Sequence, residues 1–261
     1  MLKPTHSPRK RFGQHFLTDH TILREITRVL ALQKQDRVIE IGPGLGALTQ
    51  YLLSELDHLD AIELDRDLIQ RLQEKFSNGR LTIYTGDALS FAYANLSKTP
   101  ADLRIVGNLP YNISTPLLFK LFSEIDCIRD MHFMLQKEVV LRLTAPVGSH
   151  DYGRLSVMSQ FFCDNTYLFT VPASAFQPPP KVESAFVRLI PKKQAVLSPQ
   201  TFQLFATIVK EAFTYRRKTV ANALKKYIDH STLEKIHINP QSRPQEITTA
   251  EFIRIAQAIS L

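Results

Sequence analysis

The fold class follows from one stretch of sequence, Val38-Ile39-Glu40-Ile41-Gly42-Pro43-Gly44-Leu45-Gly46-Ala47-Leu48-Thr49. A short run of mostly β-branched residues comes first, and three glycines then occupy every second position before a helical pattern begins. Glycine allows a sharp turn and a close approach of the backbone to a ligand, so this order predicts a strand, a ligand-binding loop and a helix. The spacing is G-x-G-x-G, whereas dinucleotide-binding folds favour G-x-G-x-x-G, so the stretch alone does not identify the ligand.

Apolar strand patterns alternate with helical patterns on both sides of this stretch. The predicted strands are Arg37–Ile41, Leu59–Leu64, Leu81–Thr85, Leu103–Gly107, Met131–Leu135, Leu168–Val171 and Ala185–Ile190. The predicted helices between them are His20–Leu32, Ala47–Leu56, Asp67–Phe76, Pro116–Phe122, Glu138–Thr144 and Leu155–Phe162. Near-continuous apolar strands separated by helices predict an α/β fold with a mostly parallel sheet of seven strands.

The strand pattern stops at Pro191. Ser198 and Pro199 then supply an N-cap and a first-turn proline for a helix that runs to about Phe213. Two further helices are predicted at Lys218–Tyr227 and Ala250–Ile259. We therefore predict an α/β domain of residues 1–191, with a basic N-terminal arm of residues 1–17, and a small all-helical domain of residues 192–261.

The composition excludes several classes of protein. Hydrophobic residues make up 44% and charged residues 22% of the 261 residues, which is typical of a soluble globular protein and not of a disordered tail or a coiled-coil rod. No apolar run approaches the roughly 18 residues of a membrane span, and the start of the chain lacks the apolar segment of a secretory signal. Cys127 and Cys163 are too few for a metal cluster. We expect a cytoplasmic, monomeric protein without a metal, in which both thiols are buried.

The charge is the first indication of a partner. The chain has 32 Lys and Arg against 25 Asp and Glu, a net charge of +7 and a sequence pI near 9.4, as expected of a nucleic-acid-binding protein. The clustered basic residues are Arg9, Lys10, Arg11, Arg216, Arg217, Lys218, Lys225 and Lys226. These clusters can flank one acidic ligand such as RNA, although a solvated helix face and a free arm would show the same pattern.

One acidic residue lies at the carboxyl end of the second predicted strand, and another follows the third. Glu63 lies 21 residues after Gly42, where a carboxylate can accept hydrogen bonds from both ribose hydroxyls of an adenosine-containing cofactor. Asp87 follows the third strand and can accept a hydrogen bond from an adenine amine, but an aspartate at such a position is also common in simple turns. Ligands of open α/β sheets lie at the carboxyl ends of the strands, so we expect these residues and the glycine loop to share one site.

The fourth strand ends in Asn108-Leu109-Pro110-Tyr111, which resembles the (Asn/Asp/Ser)-Pro-Pro-(Tyr/Phe) motif of amino-group methyltransferases. The lone pair of an adenine amine is delocalised into the ring, which makes the nitrogen a poor nucleophile. Two acceptors, the Asn108 side chain and the Leu109 carbonyl, can bind both amine hydrogens and favour a pyramidal nitrogen. Tyr111 can stack on the base.

Two flanking segments extend this resemblance to a whole family. Arg9-Lys10-Arg11-Phe12-Gly13-Gln14-His15-Phe16-Leu17 and Ala175-Phe176-Gln177-Pro178-Pro179-Pro180-Lys181-Val182-Glu183-Ser184 resemble the N-terminal arm and the F-x-P-P-P-K-V-x-S element of the ribosomal RNA adenine dimethyltransferase family. Many members of that family have Asn at the position of His15. The resemblance covers nearly the whole chain.

The resemblance implies a class I methyltransferase fold and S-adenosylmethionine as the cofactor. It also implies dimethylation of two adjacent adenosines in a hairpin near the 3′ end of the small-subunit RNA. The implied cofactor contacts are His15, Leu17, Gly42, Gly44, Glu63, Asp87 and Asn108. In the same interpretation Asn108 and Leu109 orient the amine, while Tyr111 and Phe176 sandwich the flipped base.

Four alternatives remain open from the sequence. A large-subunit RNA adenine dimethylase shares the four core motifs. A DNA adenine methyltransferase usually has D-P-P-Y and a separate recognition domain. An RNA-binding factor of ribosome assembly with idle chemistry would conflict with the intact Glu63, Asp87 and Asn108. A nicotinamide dehydrogenase fits the α/β pattern but gives the Asn108–Tyr111 motif no role.

Overall fold

The computed structural model describes residues 15–192 and 197–260, and their contacts form two compact units. The first unit holds the described residues up to Val140 together with Thr166–Pro191, and the second holds Leu141–Asn165 together with the described residues from Lys192 onward. The boundary predicted after residue 191 assigns residues 141–165 to the first domain, whereas the contacts assign them to the second unit.

The first unit is built on a seven-stranded sheet and a short two-stranded one. The strands of the described residues are β1 Phe16–Leu17, β2 Arg37–Ile41, β3 Leu59–Glu63, β4 Leu81–Thr85, β5 Leu103–Asn108, β6 Ile128–Gln136, β7 Cys163–Val171, β8 Phe176–Gln177 and β9 Ser184–Pro191. The large sheet has the order β4-β3-β2-β5-β6-β9-β7. The first five strands in this order pair in parallel with their neighbours, and β9 pairs antiparallel to β6. The predicted mostly parallel α/β sheet is therefore confirmed.

The strand order reverses direction at β2. The chain passes from β2 outward to β3 and β4, and then returns to place β5 on the other side of β2. Such a reversal opens a crevice outside the carboxyl ends of the two central strands, where open α/β sheets bind ligands. The loop after β2 and the Asn108–Tyr111 motif after β5 both begin at this crevice.

Helices complete both units. The helices of the described residues are α1 His20–Leu30, α2 Ala47–Glu55, α3 Arg66–Lys75, α4 Ser114–Phe122, α5 Lys137–Thr144, α6 Arg154–Phe162, α7 Pro199–Thr214, α8 Val220–Ala223, α9 His230–Lys235 and α10 Thr249–Ser260. The described residues after 197 contain helices and turns but no strand.

Aromatic packing explains why α6 belongs to the second unit. The ring of Phe161 lies 5.5 Å from Phe202 and 5.1 Å from Phe205, both on α7, and Phe162 lies 5.7 Å from Phe202. These rings provide an apolar contact that a boundary drawn at the end of the strand pattern could not reveal.

Several predicted elements have different lengths in the structure. The helix predicted at Lys218–Tyr227 is α-helical only over α8, because Tyr227 N–H bonds to the Leu224 carbonyl three residues back and tightens the chain into a turn. The strand predicted at Met131–Leu135 begins at Ile128 instead, since polar residues at its start belong to an ionic network within the first unit.

Arg104 of β5 is the centre of that network. Its side chain donates to Asp130 at 3.0 and 3.1 Å, to Asp36 at 2.7 Å and to the Leu30 carbonyl at 2.8 Å, and the residue is only 6% exposed. Burial opposes the charge on Asp36 and Asp130, but hydrogen bonds and neighbouring positive charge outweigh it and lower the pKa of both carboxyls. The network therefore stabilises the fold above the pKa that these carboxyls have in the unfolded chain, and its contribution is lost as the pH falls through their lower folded values.

Replacing Arg104 with Met should destabilise the protein by about 3–5 kcal/mol, because two carboxylates whose side chains are only 8% and 13% exposed are left without their main partner. Urea unfolding at neutral pH measures this loss. Arg129→Met is the matched control: this arginine also bonds to Asp36, at 3.0 Å, but its side chain is 54% exposed, so we expect a change below about 1 kcal/mol. Equal losses in the two variants would contradict the assigned role of the buried network.

Candidate active site

A pocket lies at the carboxyl ends of the central strands of the first unit. Its lining comes from β1, from the loop after β2, from the ends of β2 and β3, and from the turn after β5. The space between the lining residues, together with the open solvent at its mouth, is about 800 Å³. It coincides with the crevice predicted from the strand order.

The glycine loop has a conformation that requires its glycines. Gly42, Gly44 and Gly46 have φ angles of +67°, +59° and +74°, in the left-handed region that side chains disfavour. A Cβ on Gly44 would also lie 3.0 Å from the Phe16 ring, and one on Gly46 would lie 2.7 Å from the Phe76 ring. Larger residues at Gly44 and Gly46 would therefore displace the loop or these rings.

Glu63 is held rigidly at the end of β3. One carboxylate oxygen accepts hydrogen bonds from the N–H groups of Leu64 and Asp65, both at 2.9 Å, and the other accepts one from Gly44 at 3.3 Å. Burial nevertheless raises the pKa of this carboxyl. The structure thus places a desolvated acceptor against the glycine loop, at the position predicted for a ribose contact.

Glu40 is a second pocket acid, which the sequence pattern did not reveal. It lies on β2, is 2% exposed and accepts a hydrogen bond of 2.6 Å from the Thr49 hydroxyl. Burial is the main reason that its pKa rises to about 7, and the charge of Glu63 adds to the rise. An acid inside an otherwise apolar parallel strand is unusual, and that could have identified it.

Asp87 and Phe176 do not line this pocket. The Asp87 carboxylate is exposed and accepts a hydrogen bond from Leu89 N–H at 2.9 Å, as a turn aspartate does. Phe176 is 4% exposed and belongs to an apolar cluster with Leu17, its partner in the β1–β8 pairing. For Phe176 to sandwich a base against Tyr111, its ring would have to leave this packing.

The side-chain amide of Asn108 is oriented by the backbone of the arm. Its Nδ2 donates to the His15 carbonyl at 2.9 Å, so the amide oxygen is on the opposite side and can act as an acceptor. Leu109 is buried beside it and donates its N–H to the Met134 carbonyl at 3.1 Å. Asn108 and Leu109 both line the pocket.

Tyr111 completes the motif. Its hydroxyl lies 2.8 Å from the Ser184 hydroxyl, and its ring stacks on the His15 ring at 5.8 Å with an interplanar angle of 27°. His15 in turn contacts the Pro178 carbonyl through Nδ1 at 2.8 Å. His15 and Leu17 border the pocket, and β1 is held there by its antiparallel pairing with β8.

The comparisons agree with this geometry. Residues 5–261 match the family described as Ribosomal RNA adenine dimethylase. The chain belongs to this family. It is 58% identical over 253 residues to the Ribosomal RNA small subunit methyltransferase A of Coxiella burnetii (strain RSA 493 / Nine Mile phase I), covering 97% of this chain and 98% of the relative. The protein of the same name from Nitrosospira multiformis is 48% identical, covering 96% of this chain and 95% of the relative.

Solved structures show the same relationship. A dimethyladenosine transferase from Plasmodium falciparum superposes with a TM-score of 0.78 at 28% identity, covering 92% of this chain and 96% of that one. The 23S rRNA methyltransferase ErmE superposes with a TM-score of 0.72 at 24% identity over 94% of this chain and all of that one, which shows the shared fold. The predicted class I methyltransferase fold, the activity of an rRNA adenine dimethylase and the cofactor S-adenosylmethionine are confirmed. A nicotinamide dehydrogenase is thereby excluded.

The basic residues predicted to bind RNA fall into two groups. Arg9, Lys10 and Arg11 lie outside the described residues. Among the predicted residues of the second unit, Arg217, Lys218, Lys225 and Lys226 are exposed, whereas Arg216 is half-buried and donates to the His150 carbonyl. Lys218 also lies 4.7 Å above the Tyr215 ring. Four of the five described members of this cluster thus present their charge to solvent.

The remaining predictions concern a metal, the membrane and the thiols. Within residues 15–192 and 197–260, no group of His, Cys, Asp or Glu side chains could hold a metal ion. None of the helices in those ranges combines the length and the apolar composition of a membrane span. Cys127 and Cys163 are buried as predicted, and burial raises the pKa of their thiols to about 11 and about 12.

Glu40 predicts a pH dependence of cofactor binding. A carboxylate that ionises near pH 7 inside the pocket attracts a cationic ligand only in its charged form. The affinity for S-adenosylmethionine, measured by calorimetry, should therefore rise as the pH rises through about 7. In Glu40→Gln, which keeps an acceptor for Thr49, that rise should be lost.

The stability of the cofactor-free protein should change in the opposite direction. The folded pKa of Glu40 lies above its ordinary value, so the protonated form favours folding and this contribution is lost as the pH rises through about 7. The melting temperature of wild type should fall relative to that of Glu40→Gln over this range. The same affinity profile in both proteins would refute the role of Glu40.

Proposed function

We propose that the protein transfers methyl groups from S-adenosylmethionine to the N6 amines of two adjacent adenosines in a hairpin loop near the 3′ end of small-subunit ribosomal RNA. The substrate in this proposal is an assembling small subunit in the cytoplasm, and the enzyme acts as a monomer. The observation that carries the proposal is the Asn108 amide, whose N–H group is engaged by the His15 carbonyl so that its oxygen is available as an acceptor. The names of the relatives from Coxiella and Nitrosospira support the small subunit as the substrate.

The pocket fits the cofactor chemically. Glu40 and Glu63 are buried carboxylates beside a glycine loop, so they can hold a ligand that has both hydroxyl donors and positive charge. Glu63 would bind the ribose, while Gly42 and Gly44 let the loop lie against the methionine part. When bound, S-adenosylmethionine supplies an electrophilic methyl group on a sulfonium. Asp87 would bind the adenine amine only if a free oxygen of its exposed carboxylate reaches the ligand.

Asn108 and Leu109 provide the chemistry on the substrate side. The Asn108 amide oxygen and the Leu109 carbonyl can accept the two hydrogens of the target amine, which favours a pyramidal nitrogen with a directed lone pair. Preorganised acceptors of this kind act without reorganising at the moment of reaction. The proton of the methylated nitrogen can leave to water, because an ammonium attached to adenine is very acidic. A strong general base is not required.

Tyr111 provides the surface for the base. A target adenine must leave its stack at a cost of a few kcal/mol, which is lower in a loop than in a duplex. Stacking on the half-buried Tyr111 ring recovers part of this cost. Proximity and orientation can then lower the barrier by roughly 7–11 kcal/mol, so positioning supplies much of the catalysis.

The proposed function is tested with labelled cofactor. Wild type should convert adenosine to N6-dimethyladenosine in small subunits that lack this modification, as measured after digestion of the RNA to nucleosides. Free large-subunit RNA should remain unlabelled. Label in the large-subunit RNA alone would show that the protein is a large-subunit RNA adenine dimethylase. RNA binding without any label transfer would instead support the alternative of an RNA-binding factor of ribosome assembly.

Asn108→Asp tests the orienting amide. The carboxylate cannot donate to the His15 carbonyl and places negative charge against it, so we expect the rate of labelling to fall about a hundredfold, the usual cost of one misplaced polar group in an active site. Asn112→Asp is the control, because Asn112 is exposed four residues further along the same turn. A fall of the same size in both variants would mean that added charge, and not loss of the amide donor, is responsible.

The exposed basic cluster of the second unit should determine the salt dependence of RNA binding. Replacing Arg217, Lys218, Lys225 and Lys226 with Gln should weaken binding and flatten the plot of log affinity against log salt by about 0.7–0.9 for each phosphate that is no longer neutralised. Lys235→Gln removes an exposed cation of α9 as the control. If the slope of the fourfold variant equals that of wild type, these residues do not bind phosphate.

A further inference from the structure

Ser184 is the polar partner of the ring that we assign to the target base. Its hydroxyl oxygen lies 2.8 Å from that of Tyr111, although the two residues are 73 positions apart in the chain. Ser184 has 0% exposure, whereas Tyr111 borders the open pocket. A buried serine hydroxyl bonded to a tyrosine at the mouth of a site connects the core to the site.

The position of Ser184 is fixed by the sheet. Ser184 is the first residue of β9 and pairs with Gln136, the last residue of β6. Beside this pair, Lys137 N–H donates to the Glu183 carbonyl at 3.0 Å, and the Lys137 ammonium donates to the Glu183 carboxylate at 2.9 Å. The backbone that carries the Ser184 hydroxyl is therefore anchored in the sheet.

Tyr111 is held by fewer backbone contacts than Ser184. It lies in the turn between β5 and α4, outside regular secondary structure. Its ring face contacts His15, which belongs to the arm, and its backbone carbonyl accepts from Ser114 at 3.1 Å. The hydrogen bond to Ser184 is thus the contact that joins the tip of the ring to the sheet. Burial raises the pKa of the phenol, so its hydroxyl stays protonated at neutral pH.

We propose that Ser184 is a positioning residue, which holds the Tyr111 ring in the orientation at which the target adenine stacks. The inference rests on the stacking role of Tyr111 in the proposed function. A ring that is already ordered loses little conformational entropy when the base arrives, so preorganisation strengthens the binding of substrate RNA. Ser184 does not touch the substrate, and it acts only through the phenol.

A double-mutant cycle tests this role. Ser184→Ala removes the buried hydroxyl, and Tyr111→Phe removes the phenol hydroxyl but keeps the ring. Loss of one neutral hydrogen bond predicts that each single variant raises KM for the RNA about fivefold, with the Kd for S-adenosylmethionine unchanged and a smaller change in kcat. Ser184→Ala should have no further effect on KM when it is added to Tyr111→Phe.

A control separates positioning from loss of stability. Ser159→Ala removes another buried hydroxyl, at 0% exposure in α6, whose bonds to Ser156 and Asn165 lie within the second unit. It should leave KM for the RNA unchanged. If Ser184→Ala does not fold, Tyr111→Phe still tests the same bond from its other end and should show the roughly fivefold rise alone.

The outcomes distinguish this inference from the proposed function. Effects of Ser184→Ala that are equal in the wild-type and Tyr111→Phe backgrounds would overturn the positioning role, because the serine would then act independently of the phenol. So would an unchanged KM in Tyr111→Phe. Tyr111→Ala serves as the reference for stacking: if it leaves both KM and kcat for the RNA unchanged, the stacking role in the proposed function fails, and the inference fails with it.

Discussion

The active site depends on the close approach of two backbones at the carboxyl ends of β2 and β5. Gly107 pairs with Ile41 across the parallel ladder, and a Cβ on Gly107 would lie 2.6 Å from the Ile41 carbonyl oxygen. No side chain can be accommodated at such a distance without moving backbone. The next residues along the two strands are Gly42 and Asn108, so this single approach places the glycine loop beside the amide that we assign to the target amine.

Two further constraints build on this approach. The pairing of β1 with β8 brings the His15 carbonyl to the Asn108 amide, which settles the orientation of that amide before any ligand binds. The carboxylates of Glu40 and Glu63 are buried beside the glycine loop, where the low dielectric raises their pKa and strengthens their interaction with a cationic cofactor. Both groups are costly to bury in the free protein, and a positively charged ligand with hydroxyl donors would compensate for that cost.

The local pattern of apolar and turn residues was sufficient to predict much of the fold. The strands Arg37–Ile41 and Leu81–Thr85 were predicted with their observed ends, because each is a short apolar run with turn residues beyond it. The glycine loop, Glu63 and Asp87 were predicted to share one site because the carboxyl ends of parallel strands meet at one edge of the sheet. The loop and Glu63 line the pocket, whereas Asp87 lies in an exposed turn outside its lining. Glu40 was not predicted as a pocket residue, because a pattern of apolar residues gives no information about a single buried acid within a strand.

The features that local pattern did not predict depend on interactions between distant segments. Residues 141–165 belong to the second unit, where phenylalanine side chains of α6 pack against α7. A local sequence pattern does not reveal such packing. The motif around Phe176 was correctly recognised, but whether its ring faces a pocket or a core depends on its partner Leu17, which is more than 150 residues earlier in the chain. The hydrogen bonds of Tyr111 to Ser184 and of Asn108 to His15 are of the same long-range kind.

The most direct test is a crystal structure of the protein with S-adenosylhomocysteine bound. We predict that the ribose hydroxyls lie within hydrogen-bond distance of the Glu63 carboxylate, that the methionine part lies against the Gly42–Gly46 loop, and that the Asn108 Nδ2 remains bonded to the His15 carbonyl. A ligand bound away from the carboxyl ends of β2, β3 and β5 would contradict it. So would an Asn108 amide that turns its nitrogen toward the sulfur.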